Sequence, residues 1–193
     1  YKVVVPDYRK YPDVVFPDFI HDLAAVLDHP TLAKHNDSQK TVVIGHSAGA
    51  LNVALLAYDP HYLKAVGLHP SVIDVVISIS GPHDFFLPSE KEKWQAIFGG
   101  KAVEQIQALS VNHVSRESPT TLILQGEMDD VVTPRSANSL ADKLSAHHVN
   151  HSIKIYPGVG HRRIVAAMSP LLSFLAPTIK DIIKFLENNE CHP

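Results

Sequence analysis

A serine stands between two glycines in the pentapeptide G-H-S-A-G at residues 45–49. A serine hydroxyl is a weak nucleophile unless a neighbouring base takes its proton, and that base needs a third group to orient it. The later sequence supplies both groups, since His161 ends the segment Y-P-G-V-G-H and Asp129 lies in the acidic segment Q-G-E-M-D-D. These residue types predict nucleophilic catalysis, with Ser47 as nucleophile, His161 as base and Asp129 as acid.

The residues around Ser47 predict the local structure that such a nucleophile needs. Residues 41–44 (T-V-V-I) are typical of a short buried strand, and residues 48–57 are typical of a helix. A strand, a tight turn and a helix are the context in which G-x-S-x-G marks a nucleophile elbow. We expect Gly45 and Gly49 to let the turn and the incoming helix approach without a Cβ clash.

Three carboxylates compete for the role of the acid. Glu127, Asp129 and Asp130 all follow the apolar run at residues 121–125, so each lies near the predicted end of a strand. We favour Asp129, because the third residue after Gly126 is where the turn should present its carboxylate. Asp130 and Glu127 remain alternatives on the residues alone.

The rest of the chain alternates between short apolar strands and amphipathic helices. Strands are predicted at residues 3–5, 41–44, 74–80, 121–125 and 152–156, and helices at residues 19–27, 48–57, 90–97, 102–109, 134–147 and 171–186, with Pro177 delaying or bending the last helix. This alternation predicts an α/β fold, a mostly parallel sheet with helices on both faces. Catalytic groups in such sheets lie at the carboxyl ends of strands, which is where the three candidate residues fall.

Composition limits the domain count and the classes of partner. The 193 residues are 45% hydrophobic, with a formal net charge of −3 and a mean hydropathy of +0.01, which fits one domain over residues 1–193. No basic run stands out, so a nucleic-acid partner is not expected, and no apolar stretch reaches the length of a membrane span. The single cysteine, Cys191, cannot form an internal disulfide and favours the cytoplasm.

Four segments of the chain resemble one protein family. They are G-H-S-A-G-A (residues 45–50), P-D-Y-R (6–9) with F-P-D-F-I-H-D-L-A-A-V-L (16–27), Q-G-E-M-D-D-V-V-T-P (125–134) and Y-P-G-V-G-H (156–161). These segments are similar to the esterase branch of the α/β-hydrolase superfamily. Within that branch the chain is most similar to the acetyl esterase/lipase group, which is related to hormone-sensitive lipase and to the feruloyl and acetylxylan esterases.

The resemblance implies an α/β-hydrolase fold and a serine esterase that needs no metal or cofactor. It assigns the nucleophile to Ser47, the acid to Asp129 and the base to His161. The family's G-x-x-D-x-x-V pattern falls on residues 126–132, which selects Asp129 over Asp130.

One part of the family's pattern would lie upstream of Tyr1. The family carries an H-G-G-G type loop before the strand that ends in P-D-Y-R, and backbone N–H groups of that loop form half of the oxyanion hole. The Ala48 N–H, directly after the nucleophile, is the one oxyanion donor that the resemblance assigns in this chain. The family also places a strand between the P-D-Y-R strand and the elbow strand. We therefore expect the sheet to lack N-terminal strands and to show a gap or a changed pairing there.

Residues near the predicted strand ends are candidates for binding substrate. They are His46, His83, Asp84, Phe85, Phe86, Trp94 and Val132, with residues 83–118 as a cap or pocket-lining insertion. The aromatic members suit an acyl or aryl pocket, and core packing beneath a loop is the alternative.

The predicted function is a serine carboxylesterase that hydrolyses short-chain acyl or small aryl esters through an acyl-enzyme. Its partner would be a small-molecule ester. One rival is an amidase of the arylformamidase type, which shares the elbow sequence. The other rival is a non-catalytic binding protein that keeps the fold.

Overall fold

The centre of the structure is a sheet of four parallel strands. The computed structural model describes residues 2–32, 40–84, 91–99 and 101–189, and the predictions for Phe85, Phe86 and Cys191 lie outside these residues. The strands are β1 (Val42–His46), β2 (Val75–Ile79), β3 (Thr120–Gly126) and β4 (His151–Tyr156). They pair in chain order, and every pairing is parallel. The prediction of a parallel sheet is confirmed, and all four carboxyl ends lie at one edge.

The α-helices alternate with the strands along the described part of the chain. They are α1 (Asp18–Asp28), α2 (Ala48–Tyr58), α3 (Pro60–Ala65), α4 (Lys91–Phe98), α5 (Ala102–Gln107), α6 (Pro134–Ala146), α7 (His161–Ala166) and α8 (Thr178–Asn189). The sequence did not predict α3 and α7, because a helix of six residues leaves little periodic pattern. Within the residues described, no helix combines the length and the apolar character needed to cross a bilayer.

The last predicted helix, at residues 171–186, is divided in the structure. Residues Pro170–Leu175 form a 3₁₀ helix, and α8 begins only at Thr178. Pro177 separates the two, since proline has no N–H to donate to a continuing helix and its ring crowds the preceding turn. The expected delay at Pro177 is confirmed.

Apolar side chains fill two cores, one on each face of the sheet. Val76 and Ile123 pack in the core that also contains residues of α1, α2 and α6. Ile77 and Leu122 pack in the second core, with residues of α7 and α8. Successive strand residues alternate between the two cores because side chains in a strand point to opposite faces. Helices therefore cover both faces, as the sequence predicts.

Residues 3–5 do not form the predicted strand. Val3 is 79% exposed and Val5 is 89% exposed, and neither belongs to the sheet. A strand is held by its ladder of hydrogen bonds, and among the described residues β1 pairs only with β2. The segment is instead tied to α1 by Arg9, whose Nη2 and Nε lie 2.7 and 3.0 Å from the two carboxylate oxygens of Asp22.

Candidate active site

Ser47 lies on a strained turn between β1 and α2. Its φ is 55° and its ψ is −124°, a backbone conformation that residues with a side chain rarely adopt. The Ser47 N–H donates to the carbonyl of Ile79 on β2 at 2.9 Å, which anchors the turn to the sheet. A Cβ on Gly45 would lie 2.2 Å from the carbonyl oxygen of Gly49, so only glycine fits at position 45. Outside its chain neighbours and the adjacent backbone of α2, a Cβ on Gly49 would meet no atom within 4 Å, so the predicted steric need for glycine there is wrong.

Ser47 follows β1 and His161 follows β4, which are the two outer strands of the four-stranded sheet, and the His161 side chain reaches across to Ser47. His161 is the first residue of α7, which follows β4 after a short loop. Its Nε2 lies 2.9 Å from the Ser47 Oγ, and its Nδ1 lies 2.8 Å from the Asp129 Oδ2. The side chain of His161 is 11% exposed, so one edge of the imidazole faces solvent at the carboxyl end of the sheet.

Asp129 lies in the loop after β3 with its side chain fully buried. Its Oδ1 accepts hydrogen bonds from the N–H groups of Val131 (3.1 Å) and Val132 (2.8 Å). Its Oδ2 accepts from the Gln125 side-chain amide at 3.1 Å as well as from His161. Burial on its own would raise the pKa of Asp129, but hydrogen bonds from His161 and Val132 outweigh it, and the pKa is lowered. Asp129 therefore stays ionised at neutral pH.

The two competing carboxylates lie outside this arrangement. Glu127 and Asp130 are exposed, and Glu127 accepts a hydrogen bond from the Gly158 N–H at 3.2 Å. The sequence preference for Asp129 matches the geometry because the turn points that side chain inward, whereas its neighbours point to solvent.

Gln125 is a site residue that the sequence did not predict. It is fully buried at the end of β3, and its amide nitrogen donates to the Val132 carbonyl at 2.8 Å and to Asp129 at 3.1 Å. Its signal in the sequence is the one polar side chain that ends the apolar run T-L-I-L-Q. A buried amide needs partners. The nitrogen of Gln125 has them in the loop that carries Asp129, whereas its buried carbonyl oxygen has no hydrogen-bond partner.

The hydrogen-bond directions between the three residues follow from their chemistry. A carboxylate can only accept, so the Nδ1–H of His161 donates to Asp129. The neutral imidazole then has a lone pair on Nε2, which accepts from the Ser47 hydroxyl. This arrangement can remove the proton of Ser47 and leave a positive imidazolium beside a buried negative carboxylate.

His46 contacts His161 directly. Its Nε2 lies 3.0 Å from the backbone carbonyl oxygen of His161, and the two ring centroids are 4.7 Å apart with an interplanar angle of 42°. Burial lowers the pKa of His46 below its ordinary value. The sequence assigned His46 to substrate binding, but its described contacts are with the candidate base.

His83 does not line the site, contrary to the prediction. It is fully buried, with its Nε2 2.7 Å from the Ser78 hydroxyl and its Nδ1 2.8 Å from the Ser110 hydroxyl. Its backbone N–H donates to Ser136 at 2.6 Å. Burial lowers the pKa of His83 to about 3, so the ring stays neutral. His83 is therefore an interior residue held by hydroxyl groups.

Two further candidates for substrate binding, Val132 and Trp94, pack against other residues of the protein. Val132 is 5% exposed and binds Asp129 and Gln125 through its backbone. Trp94 packs against Phe98 with ring centroids 5.5 Å apart, in the core that contains α1. These described contacts are with core residues, and the role of Val132 and Trp94 in binding substrate stays a prediction.

Asp84, which follows β2, lies beside Arg135. Its Oδ2 lies 3.8 Å from the Arg135 Nε, and its Oδ1 is buried without a hydrogen-bond partner. A buried carboxylate oxygen that lacks a donor is costly. Its described contact is with Arg135, and its role in binding substrate stays a prediction.

The fold and the site together define an α/β-hydrolase. Its parallel sheet is covered on both faces, and a serine, an aspartate and a histidine meet at the carboxyl edge in that chain order. The sequence model of the prolyl oligopeptidase family matches residues 8–181. The chain therefore belongs to the prolyl oligopeptidase family and is a serine hydrolase.

Solved structures with similar folds include several esterases. A truncated carbohydrate esterase from gut microbiota has a TM-score of 0.76 and 19% identity, covering 95% of this chain and 72% of that one. The carboxylesterase Cest-2923 from Lactobacillus plantarum has a TM-score of 0.69 and 17% identity, covering 93% and 71%. An acetyl ester-xyloside bifunctional hydrolase from Caldicellulosiruptor lactoaceticus has a TM-score of 0.70 and 17% identity, covering 94% and 70%. No curated protein sequence matches the chain significantly.

Proposed function

We propose that this protein is a serine carboxylesterase that works through an acyl-enzyme. The observation that carries the proposal is the continuous chain of hydrogen bonds from Asp129 through His161 to Ser47, at 2.8 and 2.9 Å. In the first step the Ser47 Oγ attacks the ester carbonyl while His161 takes the hydroxyl proton. His161 then gives that proton to the departing alcohol, which leaves the acyl group on Ser47.

Water completes the cycle by the same route. His161 takes a proton from a water molecule, the resulting hydroxide attacks the acyl carbonyl, and the proton returns to Ser47 as the acid leaves. Asp129 holds the imidazole in the tautomer that accepts at Nε2, and its negative charge stabilises the imidazolium in both steps. No metal or cofactor takes part in this scheme.

The oxyanion that forms on the substrate needs hydrogen-bond donors. Ala48 is the first residue of α2, where the N–H groups have no acceptor inside the helix, so its N–H is available to the developing negative charge. The N-terminal end of α2 also carries a partial positive charge. Loss of one such donor costs roughly 10²–10³ in rate, so Ala48 supplies part of the stabilisation that a complete oxyanion hole would give.

The proposed substrates are esters of short acyl chains or small aryl acids. The names of the similar structures support an ester, since they include a carboxylesterase and a carbohydrate esterase. The family match favours a second candidate, because the prolyl oligopeptidase family is named for amide hydrolysis. The three residues would serve both reactions, and the pocket decides between them. Rates on p-nitrophenyl acetate and p-nitroacetanilide separate the two candidates, and we expect turnover of the ester alone.

The direct test of the proposal is hydrolysis of p-nitrophenyl acetate and butyrate by the chain, with Ser47→Ala as the inactive control. Labelling with a fluorophosphonate probe, followed by peptide mass analysis, tests the nucleophile without assuming a substrate. We expect a single adduct on Ser47 and none in Ser47→Ala. A folded chain that neither hydrolyses the esters nor reacts with the probe would refute the proposal.

A further inference from the structure

His46 connects the segment that carries the nucleophile to the base through a hydrogen bond that involves none of the reacting atoms. It is the last residue of β1 and directly precedes Ser47. Its Nε2 lies 3.0 Å from the backbone carbonyl oxygen of His161. A carbonyl oxygen only accepts, so the Nε2 of His46 carries the hydrogen and donates it. One hydrogen bond thus connects the backbone of the base with the residue beside the nucleophile.

The ring partners of His161 leave its backbone to be fixed by other contacts. Asp129 and Ser47 bind the two ring nitrogens, and so they orient the imidazole but do not hold the main chain. His161 begins a helix of six residues, which is too short to be rigid on its own. A small shift at the start of α7 would move Nε2 away from the hydroxyl, and errors of about 1 Å can cost 10²-fold in rate.

We propose that His46 is a positioning residue, which fixes the backbone of His161 at the start of α7 so that Nε2 stays within reach of the Ser47 hydroxyl. The inference rests on the proposed function for its effect on rate, but its structural part holds for any reaction that uses this pair. The ring of His46 also packs against the imidazole, with centroids 4.7 Å apart, which limits rotation of His161.

The charge state of His46 agrees with this role. The ionisable groups that face it are His161 on α7 and Asp129 after β3. Burial favours the neutral ring, and the bond to the His161 carbonyl and the charge of Asp129 oppose it only in part. A neutral His46 is required, because a second positive charge so close would oppose the imidazolium that forms on His161 during the reaction. Donation to the carbonyl is possible in the neutral form, so positioning and catalysis are compatible.

Two substitutions separate the donor from the ring. His46→Gln keeps an amide N–H at about the reach of Nε2 and removes the ring, whereas His46→Phe keeps a ring and removes the donor. We expect kcat on p-nitrophenyl acetate to fall about tenfold in His46→Phe with KM nearly unchanged, and to fall less than about threefold in His46→Gln. His46→Asn, whose amide is too short to reach the carbonyl, should behave like His46→Phe and guards against a folding defect in one variant.

A second measurement does not depend on turnover. In protein containing nitrogen-15-labelled histidine, the Nδ1–H of His161 should give a low-field proton signal, assigned by its absence in His161→Gln. We expect this signal to persist in His46→Gln and to weaken through faster exchange with water in His46→Phe and His46→Asn. If wild type hydrolyses no ester, the proposed function fails while this signal still tests the positioning. An unchanged kcat in His46→Phe, together with an unchanged signal, would overturn the inference.

Discussion

Two histidines in this protein have nearly the same hydrogen-bond distances, but only one of them is the candidate base. The ring nitrogens of His83 lie 2.7 and 2.8 Å from the hydroxyls of Ser78 and Ser110. Those of His161 lie 2.9 and 2.8 Å from the Ser47 hydroxyl and from a carboxylate. Both histidines follow strands at the carboxyl edge of the sheet. Distances alone therefore do not identify a catalytic base.

The two histidines differ in the group bound at Nδ1 and in their access to solvent. His83 is fully buried between hydroxyls, which give an imidazolium no compensating charge, and burial lowers its pKa to about 3. His161 is partly exposed and is paired with the ionised Asp129, whose carboxylate stabilises a positive ring. One site can accept a proton and pass it on, and the other holds a neutral ring in place. Matched substitutions around the two histidines test this division.

The largest expected effect is the loss of activity when His161 loses its hydroxyl partner at Nε2. The matched loss at His83 should have no effect on activity. Ser47→Ala should lower kcat/KM for p-nitrophenyl acetate by about 10⁶, because the nucleophile is absent. Ser78→Ala removes the equivalent hydroxyl from His83 and should leave the rate of the folded protein unchanged. A comparable loss of activity in both variants would contradict the comparison.

The next effect concerns the group at Nδ1. Asp129→Asn keeps an acceptor for the N–H groups of Val131 and Val132 but removes the charge and favours the wrong tautomer of His161. We expect kcat/KM to fall about 10⁴-fold. Ser110→Ala is the matched change at His83 and should have no effect on kcat/KM. A loss below about tenfold in Asp129→Asn would show that the carboxylate charge is not needed.

A smaller effect is expected from the amide that braces the carboxylate. Gln125→Leu keeps the volume but removes the donor to Asp129 and leaves the Val132 carbonyl without that partner. We expect kcat to fall about tenfold, and the free energy of unfolding to fall by roughly 1–3 kcal/mol. Steady-state kinetics and urea unfolding measure the two quantities. Unchanged kcat with reduced stability would confine Gln125 to a structural role.

The smallest effect on activity, and a clear effect on stability, is expected at His83. Its pKa is about 3 in the folded protein and roughly 6.5 in the unfolded chain, so the unfolded chain binds the extra proton between these values. The neutral ring therefore contributes stability that is full above about pH 6.5 and is lost as pH falls towards 3, by up to about 1.4 kcal/mol per pH unit.

Urea unfolding from pH 7 to pH 5 measures this slope, with His83→Gln as the comparison. The window lies above the ordinary pKa of carboxylates, so histidines dominate the change. The variant should be less stable at pH 7 and should show a shallower pH dependence, with kcat/KM per folded molecule unchanged. Equal slopes in wild type and variant would show that His83 is accessible to protons in the folded state.

The sequence predicted the elements of this protein best where a pattern was long or sterically constrained. The elbow could be predicted because an apolar strand, then Gly45, then a largely apolar helix place Ser47 in a tight turn between them. The prediction for residues 3–5 failed because a run of valines records the preference for a strand but not whether a partner strand is beside it. His83 was misassigned for a similar reason, since burial and three hydroxyl partners are tertiary facts.

By itself, then, the sequence determined the four strands of the sheet and most of the helices, the elbow at Ser47, and the presence of an acid and a base after later strands. Those features depend on local sterics and on periodic burial, which neighbouring residues encode. Only the tertiary structure decided that His161 meets both Ser47 and Asp129, that Gln125 braces the carboxylate, and that His46 touches the base while His83 does not. The contacts of His161 and His46 join residues far apart in the chain, and parallel pairing of the four strands is what brings them to one edge. Gln125 lies only four residues from Asp129, but its contact depends on how the loop after β3 folds back.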